Sequence, residues 1–296
     1  MTPICLVTGF LGTGKTTLLK NFVARNRGRR LVYLINEFSA MDIDGALLLG
    51  EGADTVSIPG GSIFCKCLVS QFIARLGEIP DRHPGVEGVV IEASGVADPA
   101  VVRRMLADTG LDRLYQLRSV LSVTDPKSLH KLLKTLPNIR SQIAASDRVL
   151  VNKCDLCAED EIRRAEELVR DINPAAAVFR TVRCGLDFDL FSPAPPVPVP
   201  GGDYGLCRDP NFAKIGVDLG EAGFEEFKRR VEPELQEVFR IKGFAVVGGE
   251  PSLVDYSEAG WNVSPRGGGD CGHLAIIVRG AAEARLRQAL GGLAEV

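Results

Sequence analysis

Continuous apolar runs alternate with amphipathic stretches through the first two thirds of the chain. Residues 3–8 (PICLVT) and 31–36 (LVYLIN) are apolar almost throughout, as strands covered on both faces of a parallel sheet must be. The same reading expects strands at 55–58, 88–91, 117–123, 148–152 and 177–181, and helices at 15–24, 66–78, 98–108, 126–145 and 158–171. Alternating strand and helix predicts right-handed crossovers and a three-layer α/β domain. The pattern breaks at 192–202 (SPAPPVPVPGG), where five of the 17 prolines fall within residues 193–200. Proline cannot donate to a helix or a sheet ladder, so this stretch reads as an extended linker. Beyond it, strands are expected at 212–219, 238–248, 252–257 and 273–279, with helices at 221–232 and 281–292. The expected division is an α/β domain over 1–191, a proline-rich linker over 192–203 and a smaller α+β domain over 204–296.

Charge narrows the partners. The chain has 296 residues, with 35 Lys+Arg against 38 Asp+Glu and a net charge of -3. That balance argues against nucleic acid or an anionic membrane surface as a partner. No apolar run reaches the 18 or so residues of a membrane span. The first residues, Met1–Val7, lack the basic start of a secretory signal. With eight cysteines in such a chain, the expectation is a reducing, cytoplasmic setting, where cysteines serve as thiols, ligands or small buried hydrophobes. Cys5, inside the first strand, is expected to be buried.

The loop after that strand carries chemistry. Gly9-Phe10-Leu11-Gly12-Thr13-Gly14-Lys15-Thr16 fits G-x-x-x-x-G-K-[ST] and stands between a strand and a helix. Glycines there permit positive φ angles and let backbone N–H groups of residues 12–17 wrap phosphate oxygens. The following helix directs its positive end at the anion. Gly9, Gly12, Thr13, Gly14, Lys15, Thr16 and Thr17 are therefore the candidate phosphate residues. Lys15 would neutralise β/γ-phosphate charge, and the Thr16 hydroxyl would hold Mg2+.

Two further strand ends extend the site. Val89–Gly95 (VVIEASG) ends in an acid that can reach magnesium, Glu92, and in a glycine whose N–H can meet a γ-phosphate, Gly95. Asn152-Lys153-Cys154-Asp155 follows the apolar run at 148–151 in the N-K-x-D arrangement. The Asp155 carboxylate can accept both the N1–H and the 2-amino group of guanine, a donor pair that adenine lacks. Asn152 would brace the loop, and the Lys153 stem would pack on base and ribose. Cys154 and Cys157 make a C-x-x-C that reads as a by-product of this loop, since a metal there would compete with the base.

Taken together, Gly9–Thr17 (GFLGTGKTT), Asn36-Glu37-Phe38 with residues 43–48 (IDGALL), Glu92–Pro99 (EASGVADP) and Asn152–Asp155 resemble the CobW-type GTP-binding proteins. That family stands with the nickel-insertion GTPases of urease and hydrogenase. The resemblance is strongest over residues 1–182, and Arg240–Gly243 (RIKG) resembles the family's C-terminal domain. It implies a P-loop NTPase sheet and GTP hydrolysis coupled to handling of a divalent metal such as Zn2+ or Co2+; the matched motifs hold no arginine finger or water-positioning glutamine, so intrinsic turnover is expected to be slow. It also implies delivery to a client metalloenzyme or corrinoid protein, and a possible homodimer. Lys15, Thr16 and Glu92 would carry the hydrolysis, with Glu37 or Asp42 joining the magnesium shell.

The family's metal motif is C-x-C-C after a glycine pair. Here Gly60-Gly61-Ser62-Ile63-Phe64-Cys65-Lys66-Cys67 keeps one of those cysteines, Cys65, and adds Cys67. A transferred metal would then meet Cys65, Cys67 and Glu37. Two thiolates do not complete a tetrahedral zinc site, so the alternative is a GTP-dependent protein chaperone that carries no metal. His83 and His130 read as loop and solvated helix residues. The Cys271-Gly272-His273 stretch reads as the entry to a hairpin, and Trp261 as core or interface.

Overall fold

The computed structural model describes residues 1–37, 54–59, 69–93, 99–193, 212–257, 260–265 and 271–293. These form two compact units.

The first unit is built on seven parallel strands: β1 Thr2–Thr8, β2 Leu31–Glu37, β3 Asp54–Pro59, β4 Gly88–Glu92, β5 Tyr115–Thr124, β6 Arg148–Val151 and β7 Ala177–Arg180. Their order across the sheet is β3-β2-β4-β1-β5-β6-β7, so β1 lies at the centre between β4 and β5. Side chains on β1 alternate between two cores. Ile4 and Leu6 join Phe72, Leu76 and Ile79 of the helix Val69–Arg82 and Met105 of the helix Val102–Asp108. Cys5 and Val7 join Leu18, Leu19, Phe22 and Val23 of the helix Lys15–Arg25, with Leu186, Leu190 and Phe191. A strand that buries both faces must be apolar throughout, which is why the period-2 alternation is missing from its sequence. The three-layer α/β expectation holds.

Helix ends differ from the sequence reading where proline intervenes. The stretch expected as one helix over 126–145 is two, Pro126–Thr135 and Pro137–Ala144. Leu136, the residue before Pro137, sits at φ -132 and ψ 101; proline disfavours the helical region for its predecessor. The helix expected to stop at 78 runs through Pro80 to Arg82. A proline in a last turn removes one donor without ending the helix.

The second unit is a five-stranded antiparallel sheet. Its strands are β8 Phe212–Asp218, β9 Val238–Val247, β10 Glu250–Ser257, β11 Gly260–Pro265 and β12 His273–Arg279, in the order β11-β10-β9-β12-β8. The helices Gly223–Val231 and Glu283–Leu290 cover one face through Phe224, Phe227, Val231, Leu286 and Leu290. Trp261 belongs to this core's margin, 5.6 Å from Phe224 and 4.8 Å from Tyr256 between ring centroids. β11 has no counterpart in the sequence reading; it is an edge strand whose residues are largely exposed or half-buried.

Candidate functional site

The chemistry-bearing residues of the first unit gather at the carboxyl ends of its parallel strands, where open α/β sheets bind ligands. Gly9 follows β1, Glu92 ends β4, Asp125 follows β5, Asn152–Asp155 follow β6 and Thr181–Cys184 follow β7.

After β1 the chain turns tightly. Gly9, Gly12 and Gly14 have φ of 136°, 77° and 116°. A Cβ on Gly9 would lie 2.3 Å from the Val123 carbonyl oxygen of β5, and one on Gly14 would lie 2.5 Å from Asn152 Nδ2. The loop is closed by Thr13, whose Oγ1 donates to the Phe10 carbonyl at 2.9 Å. Lys15 is buried at 6% exposure. Its Nζ donates to the carbonyls of Gly9 at 2.8 Å and Phe10 at 3.2 Å, so a positive charge is held over the loop. Thr16 is half-buried and Thr17 exposed.

Glu92 is buried at 4% exposure and pairs with Val7 of β1 and Ile35 of β2. Strand alternation puts it on the face of Val90, the face that the helix Lys15–Arg25 covers. The carboxylate and the Thr16 hydroxyl thus belong to one side of the sheet's carboxyl edge. Both donors are hard oxygen, the kind magnesium takes.

Asn152 joins the N-K-x-D loop to the glycine loop that follows β1. Its Nδ2 donates to the Thr13 carbonyl at 2.9 Å. Its Oδ1 accepts from Thr181 Oγ1 at 3.1 Å and from the Cys184 N–H at 2.9 Å. The next residue, Lys153, is left-handed at φ 63°, and its Nζ donates to Asp125 Oδ2 at 2.7 Å. Asp125 also caps the helix Pro126–Thr135, its Oδ1 accepting from the Lys127 N–H at 3.1 Å. The Cys154 N–H bonds the Thr181 carbonyl at 3.2 Å, while Asp155 is exposed.

Sequence reasoning missed three participants. Asp125 is visible in sequence as a helix cap before a proline, but nothing there pairs it with Lys153. Thr181 and Cys184 carry no motif at all; they matter because β7 returns beside β6. The Cys184 Sγ donates to the Gly14 carbonyl at 3.4 Å, and burial pushes its thiol up to about 12. Cys5 is pushed to about 12 by the same cause, as its expected burial requires.

The remaining candidates divide. Glu37 closes β2, paired with Pro59 of β3, and its side chain lies outside the described residues. Asp42, Cys65, Cys67 and Gly95 also lie outside them. Among the described residues no group of three or more His, Cys, Asp or Glu side chains is placed to hold a metal ion. No described helix is long and apolar enough to cross a membrane.

Known proteins resemble the chain in sequence. The chain is 26% identical over 204 residues to the zinc-regulated GTPase metalloprotein activator 1 of Saccharomyces cerevisiae, a match covering 60% of this chain and 48% of that protein. It is 28% identical over 196 residues to the zinc chaperone YjiA of Escherichia coli, covering 64% and 61%. It is 26% identical over 294 residues to the zinc chaperone CobW of Pseudomonas aeruginosa, covering 84% and 78%. The matched part thus spans about half to three fifths of the first two relatives. The family model of the CobW/HypB/UreG nucleotide-binding domain matches residues 3–180, the span of the seven-stranded sheet but for Thr2, and the chain belongs to that family.

Proposed function

We propose that the chain binds Mg2+ and GTP, hydrolyses the nucleotide slowly, and couples the change to handing a divalent metal to a client metalloenzyme in the cytoplasm. The observation that carries this reading is the Asn152 bridge, which ties an N-K-x-D loop directly to a G-x-x-x-x-G-K-T loop. Gly12–Thr17 N–H groups and Lys15 would hold the phosphates, and Asp155 would read guanine. Thr16 and Glu92 would hold Mg2+, with Glu37 joining them and Gly95 meeting the γ-phosphate. Bound magnesium supplies charge neutralisation at the phosphates. The chain's own part is positioning: Lys15 places an ammonium in the loop, and Asp125 fixes Lys153.

Relatives named zinc chaperone or zinc-regulated activator favour Zn2+ as the cargo over Co2+, with Cys65, Cys67 and Glu37 as its ligands. Residues 1–191 would form the switch, 192–203 the tether and 204–296 the part that chooses the client. A GTP-dependent protein chaperone is the second reading, favoured by Ser62 and Phe64 standing where the family has cysteines.

One experiment separates them. Zn2+ and Co2+ are titrated into wild type and a Cys65→Ala/Cys67→Ala variant, each with GTP and with GDP, while phosphate release is followed. The metallochaperone reading expects metal affinity that differs between the nucleotides and falls in the variant. Equal affinity in all four states overturns it, because a ligand with no preference between states shifts nothing.

A further inference from the structure

The C-x-x-C at Cys154 and Cys157 is left unused by the nucleotide site, yet it lies inside it. Cys154 opens a 3-10 turn over Cys154–Leu156, and the Cys157 N–H closes that turn on the Cys154 carbonyl at 3.4 Å. Three residues at about 2 Å rise place the two Cα atoms about 6 Å apart, within the span a disulfide bridges. Both thiols are half-buried, unlike Cys5 and Cys184, which are fully buried. Each is satisfied within the loop itself: Cys154 Sγ donates to the Val151 carbonyl at 3.2 Å, and Cys157 Sγ to the Lys153 carbonyl at 3.4 Å.

We propose that Cys154 and Cys157 form a reversible dithiol–disulfide site whose closure weakens guanine-nucleotide binding. The inference rests on the guanine-loop reading above. The oxidant is a low-molecular-weight disulfide. One cysteine sulfur, as thiolate, attacks it; its S–S bond breaks and one small thiol leaves. The second cysteine sulfur attacks the resulting mixed disulfide, the Cys154–Cys157 bond forms and the second small thiol leaves. The two cysteine protons end on the released thiols, and the two electrons the pair loses reduce the incoming disulfide.

Closure removes both S–H donations and draws the sulfurs to about 2 Å. The turn that closure would lock carries Asp155 between the two cysteines and follows Lys153, held at φ 63°. Burial, chiefly, raises both thiols above the ordinary range. Attack by such thiols is slow, and the disulfide they form is a poor target for reduction, since they are poor leaving groups.

The test uses the full chain and its Cys157→Ser variant. Each is treated with oxidised glutathione, the linkage is located by peptide mapping, and a fluorescent GDP is titrated before treatment, after it, and after dithiothreitol. The expected result is a Cys154–Cys157 linkage in wild type with GDP binding weakened by about tenfold or more, the scale of one lost charge-assisted contact. Dithiothreitol should restore it, and Cys157→Ser, which can go no further than a mixed disulfide on Cys154, should show no linkage within the chain. Absence of the linkage, or a linkage with unchanged affinity, overturns the inference. A reduced chain that binds no GDP overturns the guanine reading and this inference with it, while the mapped linkage still reports whether the thiols pair.

Discussion

Replacing Asn152 with alanine tests whether the N-K-x-D loop and the glycine loop after β1 are one structure. The side chain is buried at 2% exposure and makes bonds to the Thr13 carbonyl, the Thr181 hydroxyl and the Cys184 N–H. Thr181 can turn its hydroxyl to another acceptor. The Thr13 carbonyl and the Cys184 N–H are backbone groups in buried surroundings and cannot. Each stranded group costs about 1–2 kcal/mol, so Asn152→Ala should destabilise the first unit by roughly 2–4 kcal/mol. For a unit of this size that lowers its calorimetric transition by roughly 5–15 °C. The damage should also be local: amide exchange should accelerate at Cys184 and at Leu18, whose N–H bonds the Gly14 carbonyl at 2.9 Å. Asn152→Asp keeps an oxygen for Thr181 and Cys184 but turns a carboxylate toward the Thr13 carbonyl, and it should be as damaging. A transition within about 1 °C of wild type, with unchanged exchange at both amides, would refute the bridge as a structural link.

Other perturbations read other parts. Asp155→Asn should weaken GDP and favour xanthosine diphosphate, measured by competition; equal loss for both nucleotides would remove Asp155 from base reading. Gly9→Ala places a methyl 2.3 Å from the Val123 carbonyl at a backbone φ of 136°. Strain and overlap together should cost roughly 2–4 kcal/mol, seen in calorimetry alongside lost GDP binding. Glu166 is held below the usual carboxylate range by its hydrogen bonds to Arg180, at 2.7 and 3.1 Å. A lowered folded-state value gives stability that is present at neutral pH and lost as pH falls through it. Arg180→Gln should therefore be less stable than wild type near pH 7, and the gap should close in acid; a gap that persists unchanged there would assign the loss to packing.

Legibility followed constraint. β1, β2, β4 and β6 were readable because a strand buried on both faces is apolar along most of its length, with polar residues such as Thr8, Asn36, Glu92 and Arg148 kept to its ends, and Ile4 to Val7 are all fully buried. The phosphate loop was readable because its glycines answer to steric limits as tight as the 2.3 Å overlap at Gly9. β11 was not readable: an edge strand with wet faces has no hydrophobic period to impose, and its pairing with β10 comes from backbone bonds. The break at Pro137 was written in the sequence, but an amphipathic pattern continuing on both sides concealed it. Asp125, Thr181 and Cys184 stayed hidden for a different reason. Their roles are set by which strand ends the sheet brings together, and no local pattern encodes that adjacency.

The same adjacency constrains how the proposed switch works. Asn152 holds the Thr13 carbonyl and the Cys184 N–H, and Lys153 is fixed by Asp125. On the proposed reading these contacts serve the base and the diphosphate, which GTP and GDP share, so they would raise affinity for both and separate neither. A population shift needs differential affinity, so the energy that distinguishes the two states must come from groups facing the γ-phosphate and magnesium. Lys15, Thr16 and Glu92 are anchored in a helix start and a buried central strand, which suits them to bind and not to move. On the proposed reading, the rigid half of the site supplies tight guanine binding. The discrimination falls to the residues assigned to magnesium and the γ-phosphate: Lys15, Thr16 and Glu92, with Glu37 and Gly95. Stiffening the rigid half by mutation should therefore strengthen GTP and GDP equally, leaving their ratio and any metal coupling unchanged.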